Sequence, residues 1–459
     1  DRLLVMVPEH TWGVAQSWFL PDYENYTNVQ FDAARAQQKD GFVLNNTLHA
    51  DYNSTVNSWL EQRTFVTDAP QRFAKSGKHG ALAASLDAAF KEIKEATPIS
   101  DAAAAGYVQV NAMTSLFQCG AVRLGFDVNG AIGTLTESRG AAAAAWDWAG
   151  GSGDAAHALG KYVYQSFTSE DYATFLTDFS SRIGDKGVWP SHTESHDKGC
   201  TRVGDDGSHS CGNFRKPNVS AAAPVHRNLS PTVVEVWAKG SAAAKSQCNF
   251  IIKAKFPDEA ITLAGAPNLV VIEVSVVSKN PASPSMTTSV NWSVFTVEKR
   301  PTRLPEAIFF ANTPHLPAPT SPSRANGWLL TVLNHTMNPT DVVGSLGKDY
   351  NTTVYGGSPH LRGIEAARWG GGSSVDATMT LTSLDVPVVA LGEVTPFPTP
   401  RTEAPDMVKG VHWNIVQNIW NTNYVLWYPY TEADATLRSR FEMVLDHTPN
   451  AWTFSAVER

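Results

Sequence analysis

Glu9, His10 and Trp12 stand within four residues of one another, directly after a short apolar run from Leu3 to Val7. α/β proteins place reactive groups where a strand gives way to the next segment. His10 can ligate a metal as neutral imidazole, and Trp12 offers an aromatic face on which a sugar ring can stack. The plainer alternative is that both pack a strand-to-helix transition. Hydrolysis of a glycosidic bond needs two carboxylates flanking it, one as acid and one as base or nucleophile. Glu9, Asp22 and Glu24 lie near His10 in sequence, and none of the 44 acidic residues forms a pattern that marks such a pair.

A second group, His192, Glu194, His196 and Asp197, has the spacing of two imidazoles on one helical face. Trp189-Pro190 precedes it and a Gly-rich cysteine loop follows, so it reads as a solvated loop. There is no GxxxxGK loop, no GxGxxG after a strand and no GxSxG elbow, which removes nucleotide binding and serine-hydrolase chemistry.

Asn25, Asn45, Asn53, Asn218, Asn228, Asn291, Asn334 and Asn351 each open an Asn-x-Ser/Thr triplet without proline at x. Eight acceptors in one chain predict a secreted, extracellular N-glycoprotein. The chain opens at Asp1 without an apolar leader, so an upstream segment is expected to have been removed. No apolar run reaches 18 residues, and a net charge of −8 without blocks of like charge argues against nucleic acid or an anionic membrane as partner. Cys200 and Cys211 bracket a Gly/Asp/Ser-rich loop and suit a local disulfide. Cys119 and Cys248 lie in strand-like segments, where they either pair or stay buried.

The elements that must position these groups follow from periodicity. Leu82, Leu86, Phe90 and Ile93 form one helical stripe that ends before Pro98. Val56, Trp59 and Leu60 begin another, and Phe31 and Ala34 an earlier one. From about residue 117 the period becomes two: Val122, Leu124, Phe126 and Val128 alternate, and Asn129-Gly130 turns the chain into Ala131 to Leu135. Strand-like runs follow at Thr232 to Ala238, Phe250 to Phe256, Leu269 to Val277, Val290 to Val297 and Val388 to Leu391, with an aromatic and β-branched stretch at Val411 to Tyr428. The expected architecture is α+β: residues 1–100 as a strand plus a small helical bundle that completes a catalytic domain, then 101–459 as a large antiparallel β-sandwich. Alanine clusters at Ala102 to Ala105, Ala141 to Ala145, Ala221 to Ala223 and Ala242 to Ala244 sit in loop-like contexts and carry no functional assignment.

The strings PEHTWG, FLPDYENYTNVQFDAAR and SWLEQRTF resemble a family of secreted proteins that share the zinc-site layout of glycoside hydrolase family 38, the α-mannosidases. YVYQSFTSEDY (162–172), FRKP (214–217), TRLPEA (302–307), NPTDVV (338–343), SPHLRGIE (358–365) and NIWNTNYVLWY (418–428) are similar to that family's C-terminal region, a helical bundle followed by a β-supersandwich. The family's N-terminal His-x-Asp motif and nucleophilic aspartate have no matching positions here.

The resemblance implies a C-terminal chain of a zinc-dependent, retaining exo-glycoside hydrolase, active with an N-terminal chain of the same precursor. In that reading His10 is a zinc ligand, and Glu9 and Trp12 border the carbohydrate substrate. The alternatives are a non-catalytic glycan-binding glycoprotein and, third, a structural cell-wall glycoprotein.

Overall fold

A computed structural model describes chiefly residues 27–37, 74–94, 96–111, 115–137, 146–167, 227–240, 246–278, 287–317, 323–346, 360–370, 377–392, 404–418 and 436–446, with isolated residues inside these ranges excepted. Two helices enter first, α1 (Asn28–Gln37) and α2 (Gly80–Lys94). Strands β1 (Val108–Val110), β2 (Phe117–Cys119), β3 (Val122–Phe126), β4 (Ile132–Glu137), β5 (Ala158–Ser166), β6 (Arg227–Leu229), β7 (Thr232–Lys239), β8 (Gln247–Lys255), β9 (Leu269–Ser278) and β10 (Thr287–Val297) follow. The series ends with β11 (Glu306–Thr313), β12 (Trp328–Val332), β13 (His335–Met337), β14 (His360–Arg362), β15 (Ala366–Gly370), β16 (Thr378–Ser383), β17 (Val388–Leu391), β18 (Val411–Asn418) and β19 (Leu437–Asp446).

These strands form two antiparallel sheets. One has ten strands in the order β13-β12-β15-β16-β19-β10-β9-β8-β7-β1, and the other nine, β14-β17-β18-β11-β5-β4-β3-β2 with β6 beside β5. The expected sandwich is present, and its cause is alternation. In β10 every second side chain from Thr288 to Trp292 and Val294 faces inward and is buried, while Ser289, Asn291 and Ser293 face outward. Between the sheets lies one core, in which Phe310 stacks on Phe441 (centroids 4.3 Å apart) and meets Trp292 edge-on (5.7 Å). Gly160 (φ +75°) lets β5 cross these rings: a Cβ there would stand 2.8 Å from Phe310 and 2.9 Å from Trp292.

Cys119 of β2 and Cys248 of β8 are joined in a disulfide, so the two strand cysteines left open in the sequence clip one sheet to the other. The β3–β4 hairpin forms where Asn129-Gly130 places it. Its loop is held by Asp127 Oδ1, which accepts from the backbone N–H of Asn129 (2.8 Å) and Ala131 (2.9 Å). Strand β3 therefore stops at Phe126, and Val128, expected to continue the alternation inward, is 46% exposed at the loop.

The helices lie on the sandwich. Ala83, Leu86 and Phe90 form the covered side of α2, whereas Leu82, expected in that stripe, is 49% exposed. Helix α2 is tied to the outer face of the ten-stranded sheet by Glu92, which accepts from Arg438 (3.2 Å) and Arg440 (3.1 Å). Residues 96–107 then run over the same face, with Ala102 among Ile251, Val271 and Phe295, and the backbone N–H of Ile99 donating to Glu273 (2.8 Å). Alanine at 102 thus permits a close backbone approach. Val56, Trp59 and Leu60 of the expected bundle lie outside the described residues. Among the described residues no helix is long and apolar enough to cross a membrane.

Candidate functional site

Where β5 begins and β11 ends, three loop segments bring together Trp146, Asp154, His157 and His315, all partly exposed. Asp147 fixes the first segment: its Oδ1 accepts from the backbone N–H of Leu135 (2.9 Å) and Ala149 (3.0 Å), and buried Trp148 anchors the next position in the core. The Trp146 indole N–H donates to the His315 carbonyl (2.8 Å), and the two rings stack at 4.8 Å and 13°. His157 stands 5.0 Å from His315, tilted by 59°, with Nδ1 2.7 Å from Asp154 Oδ2.

The hydrogen-bond partners fix the tautomers. A carboxylate and a carbonyl only accept, so His157 Nδ1 donates to Asp154 and His315 Nδ1 donates to the Asp147 carbonyl (3.0 Å). In each neutral imidazole Nε2 is then the acceptor. The His157 hydrogen bond, supported by the N–H of Ala156, holds the Asp154 carboxyl below its ordinary range. The contribution of Asp154 is therefore present above the ordinary carboxylate value and is lost only as pH falls through the lowered one. An aromatic stack beside a carboxylate–imidazole pair can contact a polyhydroxylated ring, with an apolar face for C–H and a charged acceptor for O–H.

About 25 Å away, at the other end of β5 and β11 by strand rise, lies a buried ionic cluster. Lys299 (0% exposed) donates to Glu306 Oε1 at 2.7 Å, and the Tyr164 hydroxyl donates to Glu306 Oε2 at 3.0 Å. Tyr164 in turn accepts from the N–H of Gly265 at 2.6 Å, and burial first, then the Glu306 charge, pushes its phenol well above the usual range. Thr302 donates to Asn28 of α1 (3.0 Å), whose amide donates to the carbonyls of Thr262 (3.0 Å) and Ala264 (2.6 Å). Arg300 pairs with Asp32 on the same helix. Stretches FLPDYENYTNVQFDAAR, YVYQSFTSEDY and TRLPEA thus meet in one cluster through Asn28, Tyr164, and Thr302 with Glu306.

Glu9, His10, Trp12, Asp22, Glu24, the 192–197 group and Cys200 with Cys211 lie outside the described residues, as do Asn25, Asn45, Asn53, Asn218, Asn334 and Asn351. Of the predicted acceptors, Asn228 is exposed on β6 and Asn291 partly exposed on β10. Among the described residues no group of three or more His, Cys, Asp or Glu side chains is arranged to hold a metal ion, and the expected zinc ligand His10 lies outside them. The ring cluster was missed in the sequence. Its members come from two loops spread over residues 146–315, and Asp154-x-x-His157 is the sole local signal.

A family model described as "Domain of unknown function (DUF5054)" matches residues 1–283. No curated protein matches. Among solved structures, a galactose mutarotase-like protein from Lactobacillus casei aligns at 12% identity and a TM-score of 0.30, covering 74% of this chain and 100% of that one. A putative aldose 1-epimerase from Escherichia coli K12 aligns at 10% identity and a TM-score of 0.28, covering 74% and 99%. Likeness at this level assigns neither a site nor an activity.

Proposed function

Because the chain belongs to the DUF5054 family, whose function is unknown, we propose its role from the site itself: a secreted carbohydrate-binding protein whose sugar contact is the Trp146–His315–His157–Asp154 cluster. The observation that carries this reading is the indole–imidazole stack beside the Asp154–His157 pair, partly open at one end of the sandwich. The Cys119–Cys248 disulfide supports an oxidising, secretory destination.

Calorimetric titration with neutral mono- and disaccharides tests the site. Trp146→Ala is expected to weaken binding about tenfold, ~1.4 kcal/mol, the scale of one aromatic contact. Asp154→Asn, which keeps the shape and removes the charge, is expected to weaken it as well. A saccharide bound equally well by wild type and both variants would place recognition elsewhere.

A second reading is the one implied by the family 38 resemblance, a zinc-dependent retaining exo-glycoside hydrolase with His10 as ligand and Glu9 and Trp12 at the substrate. What favours it is the meeting of three of the resembling stretches in the Asn28–Tyr164–Thr302–Glu306 cluster, at the end of the sandwich where α1 docks. This reading predicts stoichiometric zinc and hydrolysis of a nitrophenyl α-mannoside, both abolished by His10→Ala and untouched by Trp146→Ala. Metal-free protein that binds sugar as the native material does would rule it out.

A further inference from the structure

Among the described residues, the outer face of the ten-stranded sheet is covered at one end, and the residues of its other end are partly exposed. Helix α2 and residues 96–107 lie over Ile251, Val271, Phe295, Glu273, Arg438 and Arg440, and reach Lys239, whose ammonium donates to the Ala105 carbonyl. At the other end the register sets Asn249, Ser275, Asn291, Glu442 and Thr382 side by side on five adjacent strands. At ~4.8 Å between strands the row is about 19 Å long. Its members are amides, hydroxyls and one carboxylate, and the next row sets Ser289 and Thr380 in alternation with the apolar Val277 and Val444. Asn291 Nδ2 donates to Ser289 Oγ (2.9 Å), which donates to Glu442 Oε1 (3.3 Å). Gln247 reaches Asn249 Oδ1 and Ser275 Oγ at 3.4 Å each.

Asn291 is both the middle of this row and the first residue of the triplet Asn291-Trp292-Ser293. Trp292 points into the core and is 3% exposed, while Asn291 and Ser293 point outward. We propose that Asn291 carries an N-glycan whose first sugars lie along the row, hydrogen-bonded by Ser275, Asn249 and Glu442, over this partly exposed part of the sheet. The donor is an N-acetylglucosamine-terminated oligosaccharide on a lipid pyrophosphate. Asn291 Nδ2 bonds to the anomeric carbon, the bond from that carbon to the pyrophosphate oxygen breaks, the lipid pyrophosphate leaves with the electron pair, and the amide gives up one proton. Attachment precedes sheet formation, because the strand is then free to reach the transferring enzyme. Folding leaves the linkage against the small side chains beside it. Asn228 is the internal contrast, since its acceptor stands exposed on β6.

The test is glycopeptide mass spectrometry of the full chain from a eukaryotic secretory host, with peptide-N-glycosidase treatment in labelled water before and after denaturation. Asn291 is expected to be occupied and to be released under native conditions at least about tenfold more slowly than Asn228, the ratio that a pair of protein–sugar hydrogen bonds supplies. Denaturation is expected to equalise the two. Ser275→Ala with Glu442→Gln is expected to speed native release at Asn291 alone. An unoccupied Asn291, native release as fast as at Asn228, or no acceleration in the double variant would each overturn the proposal. None of these outcomes bears on sugar binding at Trp146, so the two readings fail separately.

Discussion

Replacing Cys119 and Cys248 together by alanine is expected to lower the stability of the sandwich by about 4–5 kcal/mol. The bridge closes a span of 129 residues, and loop-closure entropy alone gives about 4.7 kcal/mol for a loop of roughly 100. Its position adds to this, because it is the covalent link between β2 of one sheet and β8 of the other, and both cysteines are fully buried. Guanidinium unfolding of the oxidised protein, the reduced protein and the double alanine variant measures the effect. Reduced protein and variant should agree, and both should shift the midpoint downward. A loss below about 1 kcal/mol would mean that the sheets are held by packing alone and that the bridge is incidental.

Removing one side of the buried ion pair is expected to cost about as much. Lys299→Met removes the cation 2.7 Å from the carboxylate of Glu306, itself 3% exposed, and breaking a buried pair in this way typically costs ~3–5 kcal/mol. The pair cannot relax by letting water in at Gly265, whose hypothetical Cβ would already stand 2.4 Å from Glu306 Oε2. Adding Glu306→Gln to Lys299→Met removes the remaining carboxylate charge and should restore more than half of the loss. Because Thr302 and Arg300 hold α1 beside this pair, the single variant should also raise hydrogen exchange across residues 27–37 before global unfolding. Equal exchange in α1 for wild type and variant would separate the helix from the ion pair.

The parts of the fold that were legible in the sequence are those where one face meets solvent. Strand β7 and much of β9 and β10 alternate where their outer residues are partly exposed, and their boundaries lie close to those expected, while the alternation breaks at Ile251, Val271 and Phe295 under residues 96–107. Strand β11, Glu306–Thr313, does not alternate, since seven of its eight residues are buried and both of its faces are covered. Strand β19 does alternate, and its outward Arg438, Arg440 and Glu442 disguise it as a charged surface segment. Two of those charges seat α2.

The candidate site was illegible for a different reason. Trp146, Asp154, His157 and His315 become neighbours only once β5 and β11 pair from Glu306↔Ser166 to Thr313↔Ala158, which brings the loops at that end together. Local spacing carries no record of that pairing, whereas the sequence-visible Glu9-His10-Trp12 string lies outside the described residues.

The most direct test of the central claim is saturation-transfer NMR on the intact glycoprotein with a panel of neutral monosaccharides. Ring C–H protons of at least one sugar are expected to receive magnetisation in the wild type and to lose it in Trp146→Ala, with His157→Ala intermediate. No transfer to any sugar, or transfer unchanged in Trp146→Ala, would contradict the assignment of the ring cluster as a carbohydrate site.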